Sequence, residues 1–379
     1  METVTQPPTH CEFPCKGCGA DLVYAPGTTT LTCQHCGMVN EIALKQEGVE
    51  ELDYLAELQR VHTGADTVDV ITVKCASCGA ESAMQPGVTA DRCAFCGTPL
   101  VAQQSSRRLI KPHSLLPFAV GENQAKGLFQ QWMSTLWFAP SAIRTEAGGV
   151  RLRGIYIPAW TYDSRTSSDY TGERGDDYWE TETYWDTETY TETQNGRMVT
   201  KSRQVQKTRQ VRKTRWHSVS GRVSNAFDDL LVLATASLPK ELAEKLEPWD
   251  LKSLVAYQDE FISGFVCESY GVDLEQGFGT ACQMMRPTIE QTVCSDIGGD
   301  HQRIGSLSVQ YFDITYKHLL LPVWLCAYLY RGKTYRFLVN ARTGEVQGER
   351  PYSAMKIAIL VISILLAVLG MVLVVMQQR

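Results

Sequence analysis

The polarity of the chain changes character along its length. From Ile357 to Met376 no charge interrupts a run of largely apolar residues. At a rise of 1.5 Å per residue, about twenty residues give roughly 30 Å, the depth of a bilayer core. Upstream the pattern switches between helical and strand periods. Val49, Leu52, Leu55 and Leu58 predict a helix over 47–60, and Leu128, Phe129, Trp132, Leu136 and Trp137 predict another over 122–138. Residues 104–120, interrupted by Pro112 and Pro117, read as a linker. Residues 154–162 read as a buried strand in which Pro158 implies an edge or a bulge. A strand over 261–272 and a helix over 273–293 follow. Residues 306–320, 323–330 and 334–340 then alternate as strands, with turns at Gly332 and at 341–344. Together these elements predict an α+β domain with an antiparallel sheet.

One stretch carries its charges in blocks. Residues 163–192 hold ten acids and two bases, and 197–222 hold nine bases and no acid. Between them Asn195-Gly196 is a strong hairpin signal. Pairing outward from that turn sets Glu192 against Val199, Glu188 against Arg203, Glu182 against Arg209 and Asp176 against Arg215. Tyr190, Tyr184 and Tyr178 then face Lys201, Lys207 and Lys213. The other face is mostly Thr, Ser and Gln, with Trp179 and Trp185. Opposite charges across strands contribute about 0.2–1 kcal/mol a pair. The expectation is a two-stranded arm of about 19 residues a side, ~60 Å long. Neither face suits a core, and a lone ribbon is marginal in water, so the arm is expected to pack on a neighbouring subunit or a partner. Its basic strand also invites nucleic acid, but the acidic strand already matches those charges.

The strongest chemical pattern is a repeated cysteine quartet. Cys15-x2-Cys18 and Cys33-x2-Cys36 recur sixty residues later as Cys75-x2-Cys78 and Cys93-x2-Cys96, with Pro26-Gly27 and Pro86-Gly87 in matching places. Each CxxCG forms a knuckle, a tight turn that aims two thiolates at one ion, and two knuckles close a tetrahedral four-thiolate site. With no open position the metal is structural, and segments this small draw their folding energy from it. Two Zn2+ ions are expected; iron, as in rubredoxin-like knuckles, is the rival. Cys11 and His10 are surplus, His35 reads as a surface residue, and Cys267, Cys282, Cys294 and Cys326 read as core cysteines.

Composition narrows the classes. The chain has 379 residues, a net charge of −6 and a pI near 5.7, so it lacks a whole-chain basic footprint for nucleic acid. The opening METVTQPPTHCEFPC has neither a basic n-region nor an apolar h-region, so no signal peptide is expected and the cysteine pairs read as metal ligands in a reducing compartment. Arg350 and Lys356 before the apolar run suit a cytoplasmic N-terminal side. Ser363, Ala367 and Gly370 make a small-residue stripe within it. There is no GxxxxGK[ST], HExxH or GxSxG. Asp296, Asp300 and His301 form the best acidic cluster, but Gly298 and Gly299 between them read as a helix stop. No catalytic residue and no organic cofactor is expected.

Several stretches together resemble a bacterial family of membrane-anchored (TFIIB-type) zinc-ribbon proteins. They are the CxxCG pairs, GERGDDY at 172–178, VRKTRWHSVSGRVSNAFDDLLV, EPWDL, DIGGDHQRI, KHLLLPVWLCAYLYRGKTYRFLVNARTGEVQGERPYS and the apolar tail. Members are often labelled primosomal protein N′ (replication factor Y), superfamily II helicase. Without a phosphate loop no helicase activity follows. The resemblance implies a link to envelope-stress systems, as an anchor for phage-shock-type or stomatin/prohibitin-like (SPFH) scaffold proteins. The expected map is a zinc ribbon at 11–43, a helical spacer at 44–70, a second ribbon at 71–103, an α+β domain at 104–350 with its arm at about 163–222, and a transmembrane anchor at 351–379. The expected function is a non-enzymatic, tail-anchored adaptor at the plasma (inner) membrane, single-pass, with its bulk in the cytoplasm. It would recruit protein partners or self-associate through the arm. The alternative is a membrane-tethered nucleic-acid-binding protein.

Overall fold

The computed structural model describes residues 13–45, 48–63, 67–75, 81–83, 90–93, 98–101, 105–140, 152–194, 197–235, 237–330, 333–350 and 352–377. The chain forms two compact units, the first comprising Met1–Asp163, Asp229–Ala281 and Ile314–Arg379, the second Ser164–Asp228 and Cys282–Asp313. The first unit opens with β1 (Leu22–Tyr24), β2 (Thr30–Cys33) and β3 (Val39–Glu41), an antiparallel three-stranded sheet. Next come β4 (Leu52–Asp53) and α1 (Tyr54–Thr63). The periodicity placed this helix at 47–60. It starts later because β4 pairs with a sheet strand and Asp53 Oδ1 caps the Ala56 N–H at 2.6 Å. The helix buries Tyr54 and Glu57, while Leu55 is exposed. In β5 (Thr67–Lys74), β6 (Glu81–Ala83), β7 (Ala90–Arg92), β8 (Pro99–Val101) and β9 (Ser105–Ile110), β5 pairs with both β6 and β9, and β7 pairs with β8.

The large sheet has nine strands and mixes long antiparallel pairings with two short parallel ones. Along the chain its region holds β10 (Ser114–Leu115), α2 (Glu122–Thr135), β11 (Arg153–Gln194), β12 (Arg197–Leu233), α3 (Lys240–Glu244), β13 (Val255–Ala256), α4 (Asp259–Ile262), β14 (Val266–Cys267), α5 (Leu274–Ile297), β15 (His301–Tyr330), β16 (Lys333–Asn340) and β17 (Val346–Gly348). The strand order is β12-β11-β15-β10-β13, and β16 adds to β15. The C-terminal helix is α6 (Ala354–Gln377). Helices and a largely antiparallel sheet make the chain α+β, as expected.

In the first unit strand alternation splits the core into two layers. Tyr156, Leu320, Trp324, Phe337 and Val339 belong to one, together with Leu115, Phe118 and Phe129. Ile155, Ile157, Leu319, Leu321, Val323 and Leu338 belong to the other, together with Leu116 and Leu246. Successive strand residues point to opposite faces, so one sheet feeds both layers. Residues 105–120 are therefore no linker. Leu115, Leu116 and Phe118 are fully buried, and the Phe118 ring stacks on Phe265 at 4.1 Å and meets Tyr156 and Trp324 edge-on. Pro112 and Pro117 bracket an extended segment that slots into the sheet beside β15. Phe118→Ala is expected to destabilise the first unit by about 3–5 kcal/mol, read from its denaturant midpoint. An exposed linker phenylalanine would leave that midpoint unchanged.

In the second unit β11 and β12 lie side by side, and their side chains report the register. Glu188 pairs with Arg203 at 3.5 Å and Glu182 with Arg209 at 3.3 Å, as the charge pattern predicts. Guanidinium groups from neighbouring pairs cover the tyrosine rings. Arg203, Arg209 and Arg215 lie over Tyr190, Tyr184 and Tyr178 at 5.5, 5.5 and 4.9 Å. Lys207 and Lys213 each bridge two carboxylates instead. A compact ammonium prefers the carboxylates, whereas a planar guanidinium can also stack on a ring. The turn at Asn195-Gly196 falls outside the described residues. Two glycines are covered by rings from across the ladder: a Cβ on Gly221 would meet the Tyr170 ring at 2.7–2.9 Å, and one on Gly175 would meet Trp216 at 3.0 Å.

At the base of the arm, Asp177 accepts hydrogen bonds from Thr214 Oγ1 (2.6 Å) and Arg212, and its Oδ2 lies 3.1 Å from His301 Nε2. These donors, Thr214 first, hold its carboxyl below the usual carboxylate range against the opposing effect of burial. A depressed folded pKa gives stability that is complete above the unfolded value, about 3.9, and fades as pH falls through the folded one. Asp177→Asn is therefore expected to speed proteolysis of the arm base at pH 7, with the gap to wild type closing steadily below about pH 4. A gap that persists at pH 2 would point to a steric cause.

Candidate metal centre

Two equivalent turns build the first quartet. Gly19 N donates to Cys15 O at 2.9 Å and Gly37 N to Cys33 O at 3.0 Å. Both glycines are left-handed, at φ +76° and +73°, a conformation that side chains other than glycine's rarely tolerate. Each turn is closed by a second bond, from Cys15 N to Ala20 O (2.8 Å) and from Cys33 N to Met38 O (2.9 Å). The turns bring the four sulfurs together. Cys15 Sγ is 3.5 Å from Cys36 Sγ, Cys18 Sγ is 3.5 Å from Cys33 Sγ, and all four lie within 4.8 Å of one another. Zn–S bonds of about 2.3 Å in a tetrahedron place sulfurs about 3.8 Å apart, so the cluster fits such an ion.

Backbone amides favour the thiolate at Cys15 and Cys33, while the crowding of the sulfurs pushes Cys18 and Cys36 up. Gly17 N–H points at Cys15 Sγ (3.4 Å) and Cys36 N–H at Cys33 Sγ (3.5 Å). The Cys36 amide draws Cys33 down to about 6 despite burial, and the Gly17 and Cys18 amides draw Cys15 down as well. Cys15 and Cys33 are buried, while Cys18 and Cys36 are exposed. Four thiolates around one ion would fill a tetrahedron and leave no position for substrate.

The quartet is set into the first unit's core. Cys15, Leu22, Tyr24, Leu31 and Cys33 share a layer with Phe118 and Tyr156. Gly27 N donates to Phe118 O at 2.7 Å, Tyr24 N to Ser263 O at 3.1 Å and Ser263 Oγ to Leu22 O at 2.6 Å. Gly27 is left-handed (φ +80°) at the point of contact. In the second quartet Cys75 and Cys93 are each 1% exposed and belong to the opposite layer, with Leu116 and Ile155. Cys93 N donates to Thr98 O at 2.9 Å, the closure seen at Cys33. Cys78 and Cys96 lie outside the described residues.

The other candidate residues take separate places. Tyr170 OH donates to Asp296 Oδ2 at 2.5 Å, and the carboxylate pushes the tyrosine up to about 12. Asp177 N donates to Asp300 Oδ2 at 2.8 Å, and His301 faces Asp177. Gly298 N bonds Cys294 O and ends α5, as the sequence predicts. Burial pushes the Cys267 and Cys326 thiols up to about 12, as expected of core cysteines. Sequence reasoning missed a cluster around Lys317, whose Nζ lies 2.5 Å from Asp229 and 3.1 Å from Glu51. Thr315 links the same Glu51 to Asp163. No local motif marks it, because its members are far apart in sequence.

The chain is 22% identical over 356 residues to a Bacillus subtilis (strain 168) protein named uncharacterized protein YdjG, across 91% of this chain and 92% of that one. No protein-family model matches the chain. No solved structure matches it.

Proposed function

We propose that this chain is a non-enzymatic, tail-anchored zinc-ribbon adaptor that holds protein partners at a membrane. The observation that carries the reading is α6. It is 24 residues long with a mean hydropathy of 3.2 in its most apolar stretch, and none of that stretch is buried. Ile359, Leu365, Val368 and Met371 are all more than half exposed. A helix apolar on every side needs an apolar surround. Its first turn is pinned: Lys356 Nζ donates to Trp137 O (3.1 Å) and Ala139 O (2.8 Å). Trp137, 77% exposed, and Tyr352, 59% exposed, stand where a headgroup layer would favour amphipathic rings.

In this reading two Zn2+ ions stiffen the ribbons and leave their edges to partners. The bulk of the chain stays on the cytoplasmic side of the plasma (inner) membrane. By the family resemblance the partners are phage-shock or SPFH-type scaffold proteins. Mass spectrometry of cross-linked protein from detergent-extracted membranes tests it. Enrichment of such scaffolds, unaffected by nuclease, is the expected result. Enrichment of replication or transcription proteins that nuclease removes would replace the adaptor with the nucleic-acid reading.

A further inference from the structure

The exposed part of the arm is written in a six-residue repeat. On β11, Tyr178-Trp179-Glu180-Thr181-Glu182-Thr183 is followed by Tyr184-Trp185-Asp186-Thr187-Glu188-Thr189 and by Tyr190-Thr191-Glu192-Thr193. On β12, Val199-Thr200-Lys201-Ser202-Arg203-Gln204 is followed by Val205-Gln206-Lys207-Thr208-Arg209-Gln210 and by Val211-Arg212-Lys213-Thr214-Arg215-Trp216. The contacts repeat with the letters. Lys201 meets Glu192, Lys207 meets Asp186 and Lys213 meets Glu180, while Arg203 and Arg209 each take a glutamate and cover a tyrosine. Six is an even period, so every repeat returns its charges to the same face. That face is a row of acids on one strand and a row of bases on the other.

Both long edges of this ribbon are open. β12 ends the strand order, and β15 begins at His301, where Asp300 N reaches Gly175 O. Among the described residues no third strand pairs with β11 beyond that point or with the outer side of β12. Open edges expose rows of N–H and C=O groups that accept another strand unless something prevents it. Here each edge carries one sign of charge. A β11 edge repels another β11, a β12 edge repels another β12, and β11 attracts β12. The paired side chains remain 34% to 62% exposed, so each row can accept a second row of opposite sign.

We propose that the arm is a self-association element, in which the free edge of β11 in one copy pairs with β12 of a second copy. Within a copy β11 and β12 run antiparallel, so a neighbour shifted sideways presents its β12 antiparallel to β11 with the charged face on the same side. Copies then add into one sheet in which acidic and basic strands alternate. The contact joins two different surfaces, so it does not close at two. The repeat fixes register in steps of six residues, about 20 Å.

The test is sedimentation velocity of the full chain in detergent across protein concentration and salt. The expected result is a series of species that grows with concentration and shrinks as salt rises to ~0.5 M. Two variants separate edge pairing from damage to the arm. Deleting 184–189 together with 202–207 removes one repeat from each strand and rejoins the pattern in register. It is expected to weaken association about tenfold or more while leaving the arm's protease resistance intact. The second exchanges the strands' charges: Glu180→Lys, Glu182→Lys, Asp186→Lys, Glu188→Lys and Glu192→Lys with Lys201→Glu, Arg203→Glu, Lys207→Glu, Arg209→Glu and Lys213→Glu. The exchange keeps opposite charges facing one another within the arm and between copies, so this variant is expected to associate with itself with the concentration and salt dependence of the wild type. A monomer at every concentration in low salt, a dimer that never grows, association unchanged by the deletion, or loss of self-association in the exchanged chain would each overturn the proposal.

Discussion

Replacing Cys33 with serine is expected to remove one metal ion per chain and to unfold residues 14–42. Serine is a poor ligand for a soft or borderline ion, and three thiolates leave the tetrahedron open. Apart from its docking on Phe118 and Ser263, the segment has little of its own to hold it. Its own buried side chains are chiefly Leu22, Tyr24, Leu31 and Ile42 on three short strands. A structural zinc contributes on the order of 10–16 kcal/mol of apparent binding energy to such a segment at pH 7. The loss should spread, because Tyr24 meets Phe261 at 5.2 Å and Phe265 at 6.3 Å. Metal analysis should fall by one ion per chain, and hydrogen exchange should quicken over 14–42 and then over 258–265. Cys18→Ser is the control. Cys18 is exposed, so its loss disturbs the site with little packing change. Equal metal loss in both variants assigns the unfolding to the ion; unchanged metal content in either would sink the four-thiolate site.

Ending the chain after Arg350 is expected to move the whole protein from the membrane fraction to the soluble one. The contrast with α5 shows why. Both helices have 24 residues, but α5 buries Ala281, Met285, Ile289 and Val293, a stripe at helical spacing. Among its described residues α6 has no such stripe, and its apolar side chains are exposed all round. Each aliphatic side chain left in water forgoes up to about 1.5–3 kcal/mol of burial, so a helix that bares them on every side is costly in water, and the proposed reading makes it an anchor. The intact chain should resist an alkaline carbonate wash. The truncated chain should stay in the supernatant with its metal content unchanged. A truncated chain that still sediments with membranes would place the attachment elsewhere.

What could be read from the sequence was whatever is encoded locally. The cysteine spacing, α2 and α5, and the charge register of the arm all depend on residues near one another or counted from one turn. Proline misled in one place. At 104–120 it suggested a linker, yet the described part, 105–120, joins the sheet and buries Leu115, Leu116 and Phe118 in the core. The strands expected separately at 306–320 and 323–330 are one strand, β15, from His301 to Tyr330, and the Pro322 carbonyl within it accepts the Ala341 N–H at 3.0 Å. The strand expected at 261–272 is a short helix and a two-residue strand. There Gly264 is left-handed at φ +84°, and a Cβ on it would lie 2.4 Å from Val23. That contact links residues more than two hundred positions apart, which no local pattern encodes. The placement of Cys15 with Cys33 in one layer and Cys75 with Cys93 in the other likewise follows from sheet alternation after folding.

The adaptor reading is tested most directly by quantitative proteomics of membrane and soluble fractions from cells carrying either the intact chain or the chain ending at Arg350. The account predicts that at least one otherwise soluble protein leaves the membrane fraction when α6 is removed and follows the truncated chain into the soluble one. A membrane proteome in which nothing but the chain itself changes fraction would contradict it.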